Sequence, residues 1–125
     1  MCGICGFNWQ DRKLAEVMTE KIHHRGPDVS GVKVFPGMSM GNARLSIIDL
    51  SENGDQPMVN QYGNLWIVYN GEIYNFPKIK KDLESKGYKF NGHCDTEVVL
   101  KSYEEYGPAC LQQFNGMFAI AIWDN

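Results

Sequence analysis

The stretch "NLWIVYNGEIYNFPKIKKDLESKG" changes its hydrophobic period midway, and no all-α or all-β fold accommodates that change. In "NLWIVYNGEIYN" the pattern alternates and is rich in β-branched and aromatic residues, which predicts a strand. The following "NFPKIKKDLESKG" has a cap residue at Asn75, Pro77 in the first turn, Ile79 and Leu83 on one face, and Gly87 as terminator. The reading is a strand, a tight turn, then a helix.

The rest of the chain repeats this mixture of strands and helices, an order compatible with an α+β class. "CGICGFNW" is short, apolar and glycine-interrupted, as a strand is. Asp11 can cap a helix with Leu14, Val17, Met18 and Ile22 along one face. Gly26 and Pro27 force a turn, after which "GVKVF" and "ARLSIID" read as strands and "GDQPM" as another turn. A short strand is expected at "YKF". The next segment, "CDTEVVLKSYEEYG", offers Asp95 or Thr96 as cap and Val99, Leu100, Tyr103 and Tyr106 as a helical stripe. A short helix around Cys110 to Phe114 precedes "GMFAIAIWDN", whose nearly continuous apolar run predicts a strand covered on both faces.

With 125 residues the chain can bury one core, and residues 1–125 are read as one domain or part of one. Twelve Lys plus Arg against fifteen Asp plus Glu leave a net charge of -3, so nothing resembles the basic footprint of a nucleic-acid or anionic-membrane binder. No apolar run reaches the roughly 20 residues of a spanning helix, and no signal segment opens the chain. A cytoplasmic protein is expected, with its four cysteines reduced.

Two of those cysteines stand in "MCGIC". A metal site would need further ligands at paired spacing, and although His23, His24, His93 and Cys94 exist, no second pair accompanies Cys2 and Cys5. Cys5 is better assigned to packing. A nucleophile explains more about Cys2. Met1 precedes a small residue and is removable, which would leave Cys2 with an α-amine of pKa about 8 as its own base.

A thiol attacking an amide needs donors for the developing oxyanion. Asn70 offers a side-chain amide and Gly71 an unobstructed N–H, both at the expected turn, although Asn-Gly is also the commonest hairpin dipeptide. An amino-acid substrate also needs a cation and an anion. Arg44, heading the expected strand "RLSIID", can supply a bidentate fork, and Glu72 and Asp95 can supply carboxylates, Asp95 at a helix start where the dipole favours its charge. Singly, each has an ordinary reading: a surface pair, a solvated turn residue, a helix cap.

Together, "MCGICGF", "HRGPD", "ARLSIIDLSENGDQPM", "YNGEIYN", "DTEVVL" and "FNGMFAIAIWD" are collinear with the class II glutamine amidotransferase family. Within it, the chain resembles the N-terminal glutaminase domain of asparagine synthetases over essentially its whole length. The resemblance implies an N-terminal-nucleophile hydrolase fold, a four-layer αββα sandwich. It implies Cys2 as nucleophile, Arg44 for the glutamine carboxylate, backbone contacts from Leu45, Ser46, Ile47 and Ile48, an oxyanion pair at Asn70 and Gly71, and ammonium-binding acids at Glu72 and Asp95.

The implied reaction is hydrolysis of L-glutamine to glutamate and ammonia through a thioester. In the family, ammonia passes to a C-terminal synthetase domain that uses ATP and magnesium to make asparagine from aspartate. No Ser-Gly-Gly-x-Asp-Ser loop occurs here, so no metal and no cofactor is expected in this chain. L-Glutamine and the synthetase domain of the same polypeptide are the expected partners, and a homo-oligomer is compatible with the reading. Asp124 and Asn125 normally introduce a returning strand, so a domain truncated at its C-terminal side is expected, poorly active alone and prone to associate through residues 117 to 123. The competing readings are a non-catalytic glutaminase-like module and the glutaminase domain of another synthetase-like amidotransferase.

Overall fold

The computed structural model describes residues 2–125; Met1, whose removal the nucleophile reading requires, lies outside the described residues. Strand β1 (Gly3–Phe7) leads into helix α1 (Arg12–Lys21), then a hairpin of β2 (Val29–Phe35) and β3 (Met38–Arg44) turning at Pro36 and Gly37. Next come β4 (Met58–Val59), β5 (Leu65–Ile73), α2 (Phe76–Ser85), α3 (Asp95–Tyr106), a 3-10 segment at Gly107–Gln113 and β6 (Gly116–Asp124).

The strands form two antiparallel three-stranded sheets, ordered β1-β3-β2 and β4-β5-β6. Alternation on β5 explains how they stack. Leu65, Ile67, Tyr69 and Ile73 point one way, into a core completed by Ile79 and Leu83 of α2 and Val98, Val99 and Leu100 of α3. Trp66 and Val68 point the other way and meet Phe35 and Met40 of the first sheet. Ala15 and Thr19 of α1 bury against that sheet's far side. The layers are helix, sheet, sheet, helices: the expected αββα sandwich.

Several local expectations are corrected by tertiary partners. On α1 the Asp11 cap is present, its carboxylate accepting from Leu14 N–H at 2.9 Å, but the buried face is Ala15 and Thr19, while Leu14 and Val17 are exposed. Small residues let the helix approach the sheet closely. The strand expected at "ARLSIID" lies earlier, at β3, whose Ser39, Gly41 and Asn42 conceal its burial between two strands; the ladder stops at Arg44. No strand forms at "YKF". Phe90 instead sits between the ammonium groups of Lys80 and Lys101, and the Tyr88 hydroxyl donates to Glu105.

The Asn-Gly pair is not a turn. β5 runs straight through it to Ile73, with Asn70 opposite Ala119 and Gly71 opposite Phe118. Nor is β6 covered on both faces. Ile120 and Ile122 reach the helix-side core and Ala121 and Trp123 the inter-sheet core, but Met117 is 64% exposed and Phe118 38%. β6 lies at the edge of its sheet among the described residues.

Candidate active site

Strand alternation separates the two N-terminal thiols. Cys2 continues the side of β1 that carries Ile4 into the inter-sheet core, whereas Cys5 lies on the opposite side, its Sγ 3.4 Å from Thr19 Oγ1 on α1. They do not form a pair. The Cys2 thiol accepts from Leu45 N–H at 3.4 Å and faces the Leu45 carbonyl at 3.7 Å, so the first residue after β3 cradles it. The "HRGPD" turn supports both segments: Arg25 Nε donates to Cys2 O at 3.2 Å, and Asp28 accepts from Ser46 N–H at 2.8 Å.

Arg44 organises the loop that follows. Its guanidinium is nearly buried, pairs with Asp55 at 2.5 Å, and donates to the carbonyls of Ser51 (3.0 Å) and Asp49. A strand cannot continue when its last side chain gathers carbonyls five and seven residues ahead, which is why residues 45–50 form a loop. Arg44 is therefore neither a strand-heading free fork nor a surface pair. Its remaining N–H groups, of five in a guanidinium, have no partner among the described residues.

Asp49 clasps this loop to the segment entering α3. Its carboxylate accepts from His93 N–H (2.9 Å), the Ser51 hydroxyl (2.6 Å) and Ser51 N–H (2.9 Å), and those bonds, His93 first, hold its pKa at about 2. Beyond the clasp, Cys94 occupies the cap position of α3 without a side-chain cap bond, and burial pushes its thiol above the ordinary range. A raised thiol is a poor nucleophile.

Asp95 is the first helical residue and does not cap. Its Oδ2 crosses to β5, accepting from the Tyr69 hydroxyl at 2.7 Å and Ile73 N–H at 3.1 Å. Burial, then the bond to Asp95, raises the Tyr69 phenol, which therefore keeps its proton and acts as donor. Gly71, at φ +156°, passes so close to β6 that a Cβ would overlap the Met117 carbonyl and Phe118 backbone.

These segments enclose a cavity of about 110 Å³. Of the residues read as site candidates, Cys2, Arg44, Leu45, Ile47, Ile48, Gly71, Glu72 and Asp95 line it. Ser46 does not, its N–H being committed to Asp28. Asn70 does not line it either: it is half-buried beside the cavity, with its Oδ1 lacking a partner among the described residues. Glu72 is exposed, but on a strand. Asp49, Gly54, Gln56, Tyr69, Cys94, Thr96 and Met117 also line the cavity and were not read as site residues. All but Cys94 lie inside the collinear motifs quoted above, but nothing local marked their side chains as facing a common cavity. No helix among the described residues is long and apolar enough to cross a membrane.

Comparison with known proteins agrees with this arrangement. Two Bacillus subtilis proteins, glutamine-hydrolyzing asparagine synthetases 1 and 3, are 42% and 40% identical over 132 and 134 residues; each alignment covers 99% of this chain and 21% of the relative. The chain thus spans about a fifth of the length of the curated relatives it matches. The solved structure of B. subtilis glutamine phosphoribosylpyrophosphate amidotransferase, complexed with ADP and GMP, superposes with a TM-score of 0.78 at 18% identity, over 99% of this chain and 35% of that one. That likeness establishes the same fold. The family described as the glutamine amidotransferase domain matches residues 1–125, and with a cysteine at position 2 opening into an inter-sheet cavity of this fold, the chain belongs to that family.

Proposed function

We propose that this domain hydrolyses L-glutamine to glutamate and ammonia through a γ-glutamyl thioester on Cys2. One observation carries the reading: Cys2 just before β1, Gly71 on β5 and Asp95 at the start of α3, from three separate parts of the chain, line one cavity. After Met1 removal the Cys2 amine accepts the thiol proton while Sγ attacks the side-chain amide carbon. Gly71 N–H, with the Asn70 amide, receives the charge on the tetrahedral oxygen. The carbon–nitrogen bond breaks, ammonia leaves with the transferred proton, and water then cleaves the thioester to release glutamate and the thiol.

Arg44 and the carboxylates of Asp95 and Glu72 complement the substrate carboxylate and ammonium, with Leu45 to Ile48 forming the wall beside it. In the longer polypeptide suggested by the relatives, the ammonia serves ATP-dependent synthesis of asparagine from aspartate in a synthetase domain. ATP and magnesium belong to that domain, and the protein works in the cytoplasm. In the full-length protein, Cys2→Ala is expected to abolish glutamine-dependent synthesis while synthesis from free ammonia continues. A diazoketone analogue of glutamine should label the Cys2 peptide and not Cys5. Retained glutamine hydrolysis by Cys2→Ala would overturn the reading.

A further inference from the structure

Gln56 lines the cavity beside the residues assigned to the reaction. Gln56 is only 6% exposed and sits just before β4. The antiparallel register Met58↔Ile67, extended back two residues, sets Gln56 opposite Tyr69. Its main-chain carbonyl is not available to that ladder. It points at β2, so close to Gly31 that a Cβ there would overlap it. The side-chain carbonyl takes its place: Tyr69 N–H donates to Gln56 Oε1 at 2.5 Å.

The same amide reaches two other elements. Asn42 Nδ2, on β3, donates to Gln56 Oε1 at 3.3 Å and to Gly3 O at 3.3 Å, and Gln56 Nε2 donates to Thr96 Oγ1 on α3 at 3.4 Å. The orientations follow from chemistry. A backbone N–H only donates, so the Gln56 atom facing Tyr69 is oxygen; Gly3 O and Gln56 Oε1 only accept, so the Asn42 atom facing them is nitrogen. This leaves Asn42 Oδ1 buried without a partner among the described residues. Such an orphan is unfavourable, so the network holds position at the expense of full hydrogen bonding.

Each contact lands next to a site residue: Gly3 follows Cys2, Tyr69 precedes Asn70, and Thr96 follows Asp95. We propose that Gln56 is a positioning residue, its side-chain amide setting the mutual distances of the nucleophile, the oxyanion strand and the ammonium-binding carboxylate. The inference rests on the proposed glutaminase reaction. Gln56 itself hydrogen-bonds only protein groups and acts through the three neighbours.

The test compares Gln56→Met and Gln56→Glu with the unsubstituted full-length protein, measuring glutamine hydrolysis per folded molecule well below the melting temperature. Gln56→Met keeps the shape and removes the bonds to Tyr69, Asn42 and Thr96; kcat is expected to fall about ten- to a hundredfold, as for small misplacements of reacting groups. Gln56→Glu keeps an acceptor for Tyr69 and Asn42, but its ionised form sets a buried charge in the cavity that also holds Asp95, and protonation removes that charge, so its rate relative to the unsubstituted protein should rise as pH falls. Gln56→Met should show no such rise. A merely stabilising residue would lower the melting temperature and leave kcat per folded molecule, and the pH ratio, unchanged. That outcome overturns the positioning role alone. If Gln56→Met does not fold, the pH ratio of Gln56→Glu decides. Absence of turnover in the unsubstituted protein overturns the proposed reaction and the positioning role together.

Discussion

The cavity has a strand wall and a loop wall, and they are held by different means. Gly71 stands in the continuous β5–β6 ladder, and Cys2 adjoins the β1–β3 ladder, whose main-chain bonds are unaffected by most side-chain changes. Residues 45–55 have no ladder. They are held largely by side chains: Arg44 gathers carbonyls from within, Asp49 clasps His93 from without and Asp28 accepts from Ser46 N–H, with one short 3-10 turn at Glu52–Gly54. The expectation is that the strand wall unfolds with the core, whereas the loop wall opens locally.

The largest effect should therefore come from disturbing the ladder. Gly71→Ala places a methyl group against the β6 backbone and is expected to lower global stability by about 3 kcal/mol in denaturant unfolding, with activity lost in parallel. A fully stable Gly71→Ala would mean that the strand wall is more compliant than its contacts suggest. Next is Arg44→Lys, which keeps a charge and loses the fork. Losing one charge-assisted contact of about 1.5–3 kcal/mol should raise KM about ten- to a hundredfold. Global unfolding should shift by less than about 1 kcal/mol, because loop opening is local. Equal global losses for the two variants would erase the distinction between the walls.

The smallest effect belongs to Asp49, which tests the loop alone. Its folded pKa of about 2 lies below the ordinary 3.8, so its clasp contributes stability that is fully present above about pH 4 and is lost as pH falls through about 2. Amide exchange at His93 and Ser51 should accelerate over that window while core amides stay protected. Asp49→Asn should show fast exchange already at neutral pH, with a rise in KM of about threefold. Unchanged protection of His93 in Asp49→Asn would exclude the clasp.

Legibility followed the same division. The switch of period between "LWIVY" and "FPKIKKDL" marked β5 and α2 because each buries one regular face, and Ile79 and Leu83 are the buried pair on α2. β3 was invisible since its buried positions are filled by Ser39, Gly41, Ala43 and other small or polar groups, so its burial left no apolar period. Asn70-Gly71 carried a turn signal that a straight ladder overrode. Gly71 is required there by the close approach of β6, which no local pattern encodes.

What the chain determined alone was whatever depends on neighbours in sequence. Cys2 and Cys5, three apart on an extended segment, had to face opposite ways, and Asp11 had its capping N–H three residues ahead. Tertiary structure decided every polar side chain that had a choice of partner. Asp95 could have capped its own helix and instead binds Tyr69 and Ile73; Arg44 could have stayed free and instead holds Ser51 and Asp55; Gln56 joins three elements distant in sequence. A hydrogen-bonding group takes the partner that packing brings within about 3 Å, and that partner is known only once the layers have stacked.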